Sequence, residues 1–269
     1  MDSFSKKVAV VAALFGCPSP AIAADAGASR TAVGPWNVSY DTAQCVAMRE
    51  YGTTANPLTL AFKPSPGGQV MRLLVIRDGR IPTRQEPATL YFDDHAANTN
   101  LVDYSDGDLR ITAVNMPMSV FKAKLPTRTI RVDSSTLRET FATSDLAPVT
   151  SKLDDCLGDL QNYWNIGPKY AHRIALAGQE EVPHGAYFKS SDFPVGAPGR
   201  AEGKVSVTFL VNEKGEIKDC SVENTSGVAS LDTMSCLVVT KRTHISPARD
   251  ASGMPIRSAY TREIDWRAH

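Results

Sequence analysis

The sequence predicts an α+β protein: a mostly β N-terminal unit closed by one helix, then a small β-β-α-β unit. Three observations carry this reading. Short apolar alternations broken by turn residues run from Trp36 to about Val132. One apolar stripe at helical spacing follows at Leu153, Cys156, Leu157, Leu160 and Trp164. A second alternating pattern with its own helix fills the stretch from Glu202 to the end. The composition suits such a fold, with 269 residues, 42% hydrophobic, 18 Gly and 17 Pro. It excludes collagen, low-complexity disorder and a disulfide-dense miniprotein. The 29 Lys+Arg balance 29 Asp+Glu, so the chain lacks the basic surplus that nucleic-acid binding needs.

The first residues point to export. Lys6-Lys7 precede an apolar run from Val8 to Gly16, Pro18 and Pro20 break it, and Ala21-Ile22-Ala23 supplies small residues for cleavage. That run is too short to span a membrane, and no run of 18 apolar residues occurs elsewhere. We expect a signal peptide over 1–23, a mature chain starting at Ala24, and a periplasmic location. Leu14-Phe15-Gly16-Cys17 offers an alternative. It is similar to a bacterial lipobox and would leave Cys17 as a lipid-modified N-terminus, although Phe15 is bulky for that pattern.

Elements follow in order over 24–166. Leu58, Leu60 and Phe62 alternate with Thr59, Ala61 and Lys63, and the apolar run Val70–Ile76 reads as a strand buried on both faces. Asp78-Gly79 and Asp106-Gly107 sit between apolar runs, a strong hairpin signal. The expected architecture is a sandwich or a partly closed barrel. The closing helix spans 147–164, with Pro148 near its start and Gly167-Pro168 after its end. Residues 167–191, rich in Pro and Gly, read as a linker with a short ordered segment near Tyr170–Ala177.

The final unit occupies 192–269. Val205, Val207, Phe209 and Val211 form a strand, and Asn212-Glu213-Lys214-Gly215 turns it. Ile217 and Cys220 are out of phase by one on the next strand, which implies a bulge near Lys218-Asp219. Ser230 is positioned to cap a helix from Leu231 to about Arg242. A last strand places Ile256, Ser258, Tyr260, Ile264 and Trp266 on one face.

Without residues 1–23, four cysteines remain, and four allow three pairings. Cys156 lies on the buried stripe of the closing helix and Cys45 on an early strand, while Cys220 and Cys236 share the small unit. The expected disulfides are Cys45–Cys156 and Cys220–Cys236.

The last unit resembles a known family through the order Phe193-Pro194, Glu202-Gly203-Lys204-Val205, Asn212-Glu213-Lys214-Gly215-Glu216-Ile217, Ser226-Gly227, Leu231-Asp232, Pro247-Ala248 and Gly253-Met254-Pro255-Ile256. In order and spacing it is similar to the C-terminal domain of TonB-family energy transducers, from Asp192 to the end. The resemblance implies a strand-turn-strand-helix-strand fold. It also implies a protein partner, a TonB-dependent outer-membrane receptor whose short segment pairs with the last strand. The partner-binding residues would be Arg257, Ser258, Ala259, Tyr260, Thr261, Arg262 and Glu263. Arg257, Tyr260 and Arg262 would read side chains, or else Tyr260 is core and the arginines are solvated edge charges. The chain departs from a full transducer, since it has no uncleaved membrane helix bearing a His and no long Pro-rich spacer. Trp36, Cys45-Val46, Arg49 and Tyr51-Gly52 resemble N-terminal regions of some exported TonB-like proteins.

Catalytic and metal-binding patterns are not evident in the sequence. His95, His172, His184, His244 and His269 are not spaced from one another or from Cys as zinc ligands. There is no Gly-x-Ser-x-Gly elbow, phosphate-binding Gly-Lys-Ser/Thr loop or His-Glu-x-x-His helix. The expectation is therefore an exported, non-enzymatic binding protein with no cofactor and no metal. The alternative is an envelope enzyme or structural protein that uses the last unit only for docking.

Overall fold

The computed structural model describes residues 29–53, 55–194 and 202–267. The expected signal peptide at 1–23 and the Cys17 alternative lie outside the described residues. The N-terminal unit contains β1 (Ala32–Tyr40), β2 (Cys45–Thr53), β3 (Asn56–Pro64), β4 (Val70–Asp78), β5 (Arg84–Phe92), β6 (His95–Asp106), β7 (Leu109–Pro117), α1 (Met118–Ala123), β8 (Thr129–Ser134), β9 (Arg138–Ala142) and α2 (Leu146–Tyr163). Its nine strands form one antiparallel sheet in the order β1-β2-β3-β4-β7-β6-β5-β8-β9. Arg30, just before β1, bridges to Phe141 on β9 and donates its N–H to the Thr140 carbonyl at 2.7 Å. The sheet is thus a nearly closed barrel, the second of the two architectures that the alternation allowed.

Leu60, Phe62, Leu73, Leu101, Ile130 and Phe141 fill the interior. The helix α2 lays Leu153, Cys156, Leu160 and Trp164 on that core beside β1 and β2. Cys45 and Cys156 are joined, with Cα atoms 5.9 Å apart, which ties α2 to β2.

One turn signal misled. Asp106-Gly107 joins β6 to β7 as a hairpin, with Asp106 opposite Leu109. Asp78-Gly79 does not make a hairpin, because β4 pairs with β7 and β5 lies two strands further along. Asp-Gly chemistry reverses the chain locally. It does not choose which strand becomes the neighbour, and that choice depends on long-range pairing.

The C-terminal unit contains β10 (Gly203–Val211), β11 (Ile217–Asn224), α3 (Ala229–Arg242), the two-residue strands β12 (Ala248–Arg249) and β13 (Pro255–Ile256), and β14 (Ser258–Trp266). Its main sheet runs β11-β10-β14. The register skips Lys218 between the pairs Leu210–Asp219 and Val211–Ile217, so the bulge stands where the phase slip put it. A second bulge places Glu223 between Val207–Val222 and Ser206–Asn224. Val205, Val207, Phe209, Leu231, Val239 and Ile264 form the core under α3, and Cys220 is joined to Cys236 of that helix.

Ser230 does not cap α3. The helix starts one residue earlier, and the Ser230 N–H donates instead to Oε1 of Gln85 on β5, at 2.8 Å. The turn before the helix is held by Asp232, which accepts from the Ser226 N–H, the Ser226 hydroxyl and the Thr225 hydroxyl. Packing of α3 beside β5 and β6 brings a barrel side chain to the helix start, which a local capping rule cannot foresee.

Besides this contact at the start of α3, the two units meet along β11 and the sheet face turned away from α3. Leu210 is fully buried there and joins the barrel-side cluster with Leu157, Ile166 and Ala259. Lys63 on β3 pairs with Asp219 at 2.6 Å. The Glu223 carboxylate, 6% exposed, accepts from the Ser65 hydroxyl and the Gly67 and Gln69 N–H groups. A Cβ on Gly67 would lie 2.7 Å from that carboxylate, so a side chain there would have to displace it.

Candidate partner-binding edge

The strand β14 pairs with β10 along its whole length, from Gly203–Trp266 to Val211–Ser258. Among the described residues, no backbone group pairs with its other side. The Arg257 carbonyl accepts from the Asn165 side-chain amide, and the Thr261 carbonyl from the guanidinium of Arg262. Arg257 precedes β14 and lies in no strand; because groups alternate along an antiparallel strand, Ala259, Thr261, Glu263 and Asp265 turn their N–H and C=O outward. An edge of this kind is a template for another strand.

Several side chains expected to read a partner are engaged within the chain. Tyr260 is buried, stacks on Phe209 and accepts at its hydroxyl from the Gly178 N–H at 2.7 Å. Arg262 donates to Glu180 at 2.7 Å. Arg257 lies 3.8 Å over the Tyr163 ring and pairs with Glu213 at 2.7 Å. Ser258 is buried opposite Val211. The side chains of Thr261 and Glu263 are left exposed, with Ala259 half-buried between the units. Among the described residues Glu263 pairs with Lys204 alone, and both side chains are exposed.

The segment between α2 and β10 holds these groups in place. Residues 175–181 run beside 244–249, joined by hydrogen bonds between Leu176 and Arg249, Gln179 and Ser246, and Glu181 and His244. Gly178 sits against the Ser246 carbonyl so closely that a Cβ there would clash with it. Further along, Asp192 makes a two-pronged ion pair with Arg242 at the end of α3. Those hydrogen bonds hold the Asp192 carboxyl below its ordinary pKa. The same segment sets Phe188 and Phe193 edge-on to Trp266, with centroids 5.5 and 6.1 Å away. Nothing in its composition signalled this packing, because its apolar residues are too sparse to show a period.

Residues 197–268 match the family model "Gram-negative bacterial TonB protein C-terminal". This TonB-like unit accounts for the strand-turn-strand-helix-strand order seen from β10 to β14. Domains of this family are protein-interaction modules rather than enzymes, and their setting is transport in the bacterial envelope. No curated protein and no solved structure matches the chain. The barrel before the TonB-like unit lies outside the matched residues. Among the described residues, no helix is long and apolar enough to cross a membrane.

The barrel has its own buried charge cluster. Asp103, fully buried, accepts from Arg110 at 2.6 Å and from the Thr112 and Thr136 hydroxyls. Burial pushes its pKa up, but these hydrogen bonds and the Arg110 charge outweigh that and hold it below the ordinary value. At the seam Glu223 has only neutral donors around it, and burial wins, so its pKa is raised.

Proposed function

We propose that this chain is an exported envelope protein that captures an extended protein segment as a further strand on the outer edge of β14. The outer edge of β14 from Ala259 to Glu263, which no other strand joins among the described residues, in a unit that matches the TonB C-terminal family model, carries this reading. Main-chain hydrogen bonds from Ala259, Thr261 and Glu263 supply affinity, and Thr261 and Glu263 present side chains to the incoming strand. The natural partner is a periplasm-facing segment of a TonB-dependent outer-membrane receptor, in line with a role linked to transport. Two disulfides suit the oxidising periplasm. The chain acts by binding, with no cofactor or metal in its role.

Proline tests the edge directly. Thr261→Pro removes one outward donor and fixes φ, which an edge strand tolerates when the lost N–H faces solvent. Fluorescence anisotropy with peptides copying receptor N-terminal segments should show binding to the wild type and to Thr261→Ala, and none to Thr261→Pro. Circular dichroism establishes that the proline variant is folded. Unchanged affinity in a folded Thr261→Pro chain would sink strand capture.

A further inference from the structure

We infer that the cleft between the barrel and the TonB-like sheet binds a small organic cation, a protonated primary amine with an aliphatic body, through the Glu223 carboxylate. This site is separate from strand capture and does not depend on it.

The cleft lies on the sheet face turned away from α3 and measures about 480 Å³. Ser206 and Thr208 of β10 and Glu223 of β11 form its floor. One wall is the barrel turn at Gly67 and Gln69, and the other is the segment after α2, with Ile166, Ala171 and Ile174. Ligand sites of this size are often built where two units meet, from apolar walls and a few convergent polar groups.

Charge decides the class of ligand. Among the described residues lining the cleft, Glu223 is the one ionisable group. Its own donors are all neutral, namely the Ser65 hydroxyl and the Gly67 and Gln69 N–H groups. The cations of the seam are engaged elsewhere: Lys63 pairs with Asp219, and Arg72 lies 5.6 Å over the Tyr104 ring. At the outer end of the cleft, Arg173 donates to the Asn165 side chain at 3.2 Å. A buried carboxylate without a counter-charge is costly, and its pKa rises accordingly. A perturbed carboxyl in a cleft is a mark of a functional site.

An ammonium group supplies the missing charge. Glu223 Oε1 accepts from the Gly67 N–H alone among the described residues, so one lone pair is left for a ligand. The Ser206 hydroxyl and the Asn224 side-chain carbonyl line the same cleft and are further acceptors for a group with three N–H donors. Ile166 and Ile174 offer the aliphatic body an apolar wall. An anion would meet the carboxylate and be repelled.

The test is an NMR titration of the full disulfide-bonded chain at neutral pH with three probes of one shape: hexylamine, hexanol and hexanoate. Hexylamine should shift the amide signals of Gly67 and Ser206 and saturate, and the other two should bind at least about tenfold more weakly. Glu223→Gln keeps the volume and an acceptor oxygen, and should reduce hexylamine to the level of hexanol. Ala171→Trp fills the cleft from an exposed position and should weaken hexylamine about tenfold with an unchanged urea midpoint. If Glu223→Gln does not fold, the contrast between probes and Ala171→Trp decide. Hexanol binding as tightly as hexylamine overturns the inference, as does hexylamine binding that ignores Ala171→Trp or a folded Glu223→Gln. Absence of any saturable shift overturns it too. None of these results bears on strand capture, which the peptide titration with Thr261→Pro tests by itself.

Discussion

The TonB-like sheet has two edge strands with opposite surroundings. The strand β11 is pressed against the barrel: Ser221, Val222 and Glu223 are buried, Asp219 is paired with Lys63, and a disulfide ties Cys220 to α3. The strand β14 is held from one face by Phe188, Phe193 and Glu180, yet no strand joins its outer side among the described residues, and Thr261, Glu263 and Asp265 are exposed. A three-stranded sheet needs protection against unwanted pairing at both ends. This molecule covers one end with its own second unit and leaves the other open. The difference shows what the barrel contributes: it covers β11, while no strand joins the outer side of β14 among the described residues.

Breaking the covered edge should have the largest effect. Glu223→Ala leaves the Ser65 hydroxyl and the Gly67 N–H without an acceptor in a buried seam, while the Gln69 N–H keeps the Ser65 oxygen, at a cost of about 3 kcal/mol. Glu263→Ala on the open edge should change stability by no more than about 0.5 kcal/mol. Urea unfolding of both variants measures the contrast; equal costs would mean the edges do not differ.

Next comes the staple. Cys220–Cys236 closes a loop with sequence separation 16 on the covered side, and restricting the unfolded chain by such a loop is worth about 3 kcal/mol. The double variant Cys220→Ala/Cys236→Ala should lower the urea midpoint accordingly. Strand-capture affinity should stay the same while the chain remains folded, because β14 takes no part in that link.

The smallest effect is a pH dependence. Glu223 has a raised pKa in the folded chain, so the stability it contributes is full below its unfolded value, about 4.3. It is lost as pH rises through the higher folded value, at no more than about 1.4 kcal/mol per pH unit. Asp103 has the opposite sign: its stabilisation is present above its ordinary value and lost on acidification. Urea midpoints followed upward from about pH 4 should therefore fall less steeply in Glu223→Gln than in the wild type. An identical slope would show that the seam carboxylate is not the group responsible.

Local pattern accounted for much of the fold. The bulge at Lys218 followed from Ile217 and Cys220 being out of phase, and α2 from its apolar stripe with Pro148 and Gly167-Pro168 as bounds. The β-rich N-terminal unit was legible from alternation, but its strand order was not. Asp78-Gly79 looks like a hairpin in any local window, and only long-range pairing of β4 with β7 decides otherwise. The edge residues came from a family resemblance, and the roles of Tyr260, Arg262 and Arg257 were left open because their partners, Gly178, Glu180 and Tyr163, are distant in sequence.

The sequence by itself determined the element types, the C-terminal topology and the residues of the last strand, because these depend on periodicity, turn chemistry and motif order within short windows. Only the tertiary structure decided which edge is open, which side chains are already occupied and how the 174–193 segment completes the face of β14. Burial and hydrogen bonding between residues such as Ser65 and Glu223, or Gln85 and Ser230, depend on where distant segments meet. No local pattern records that.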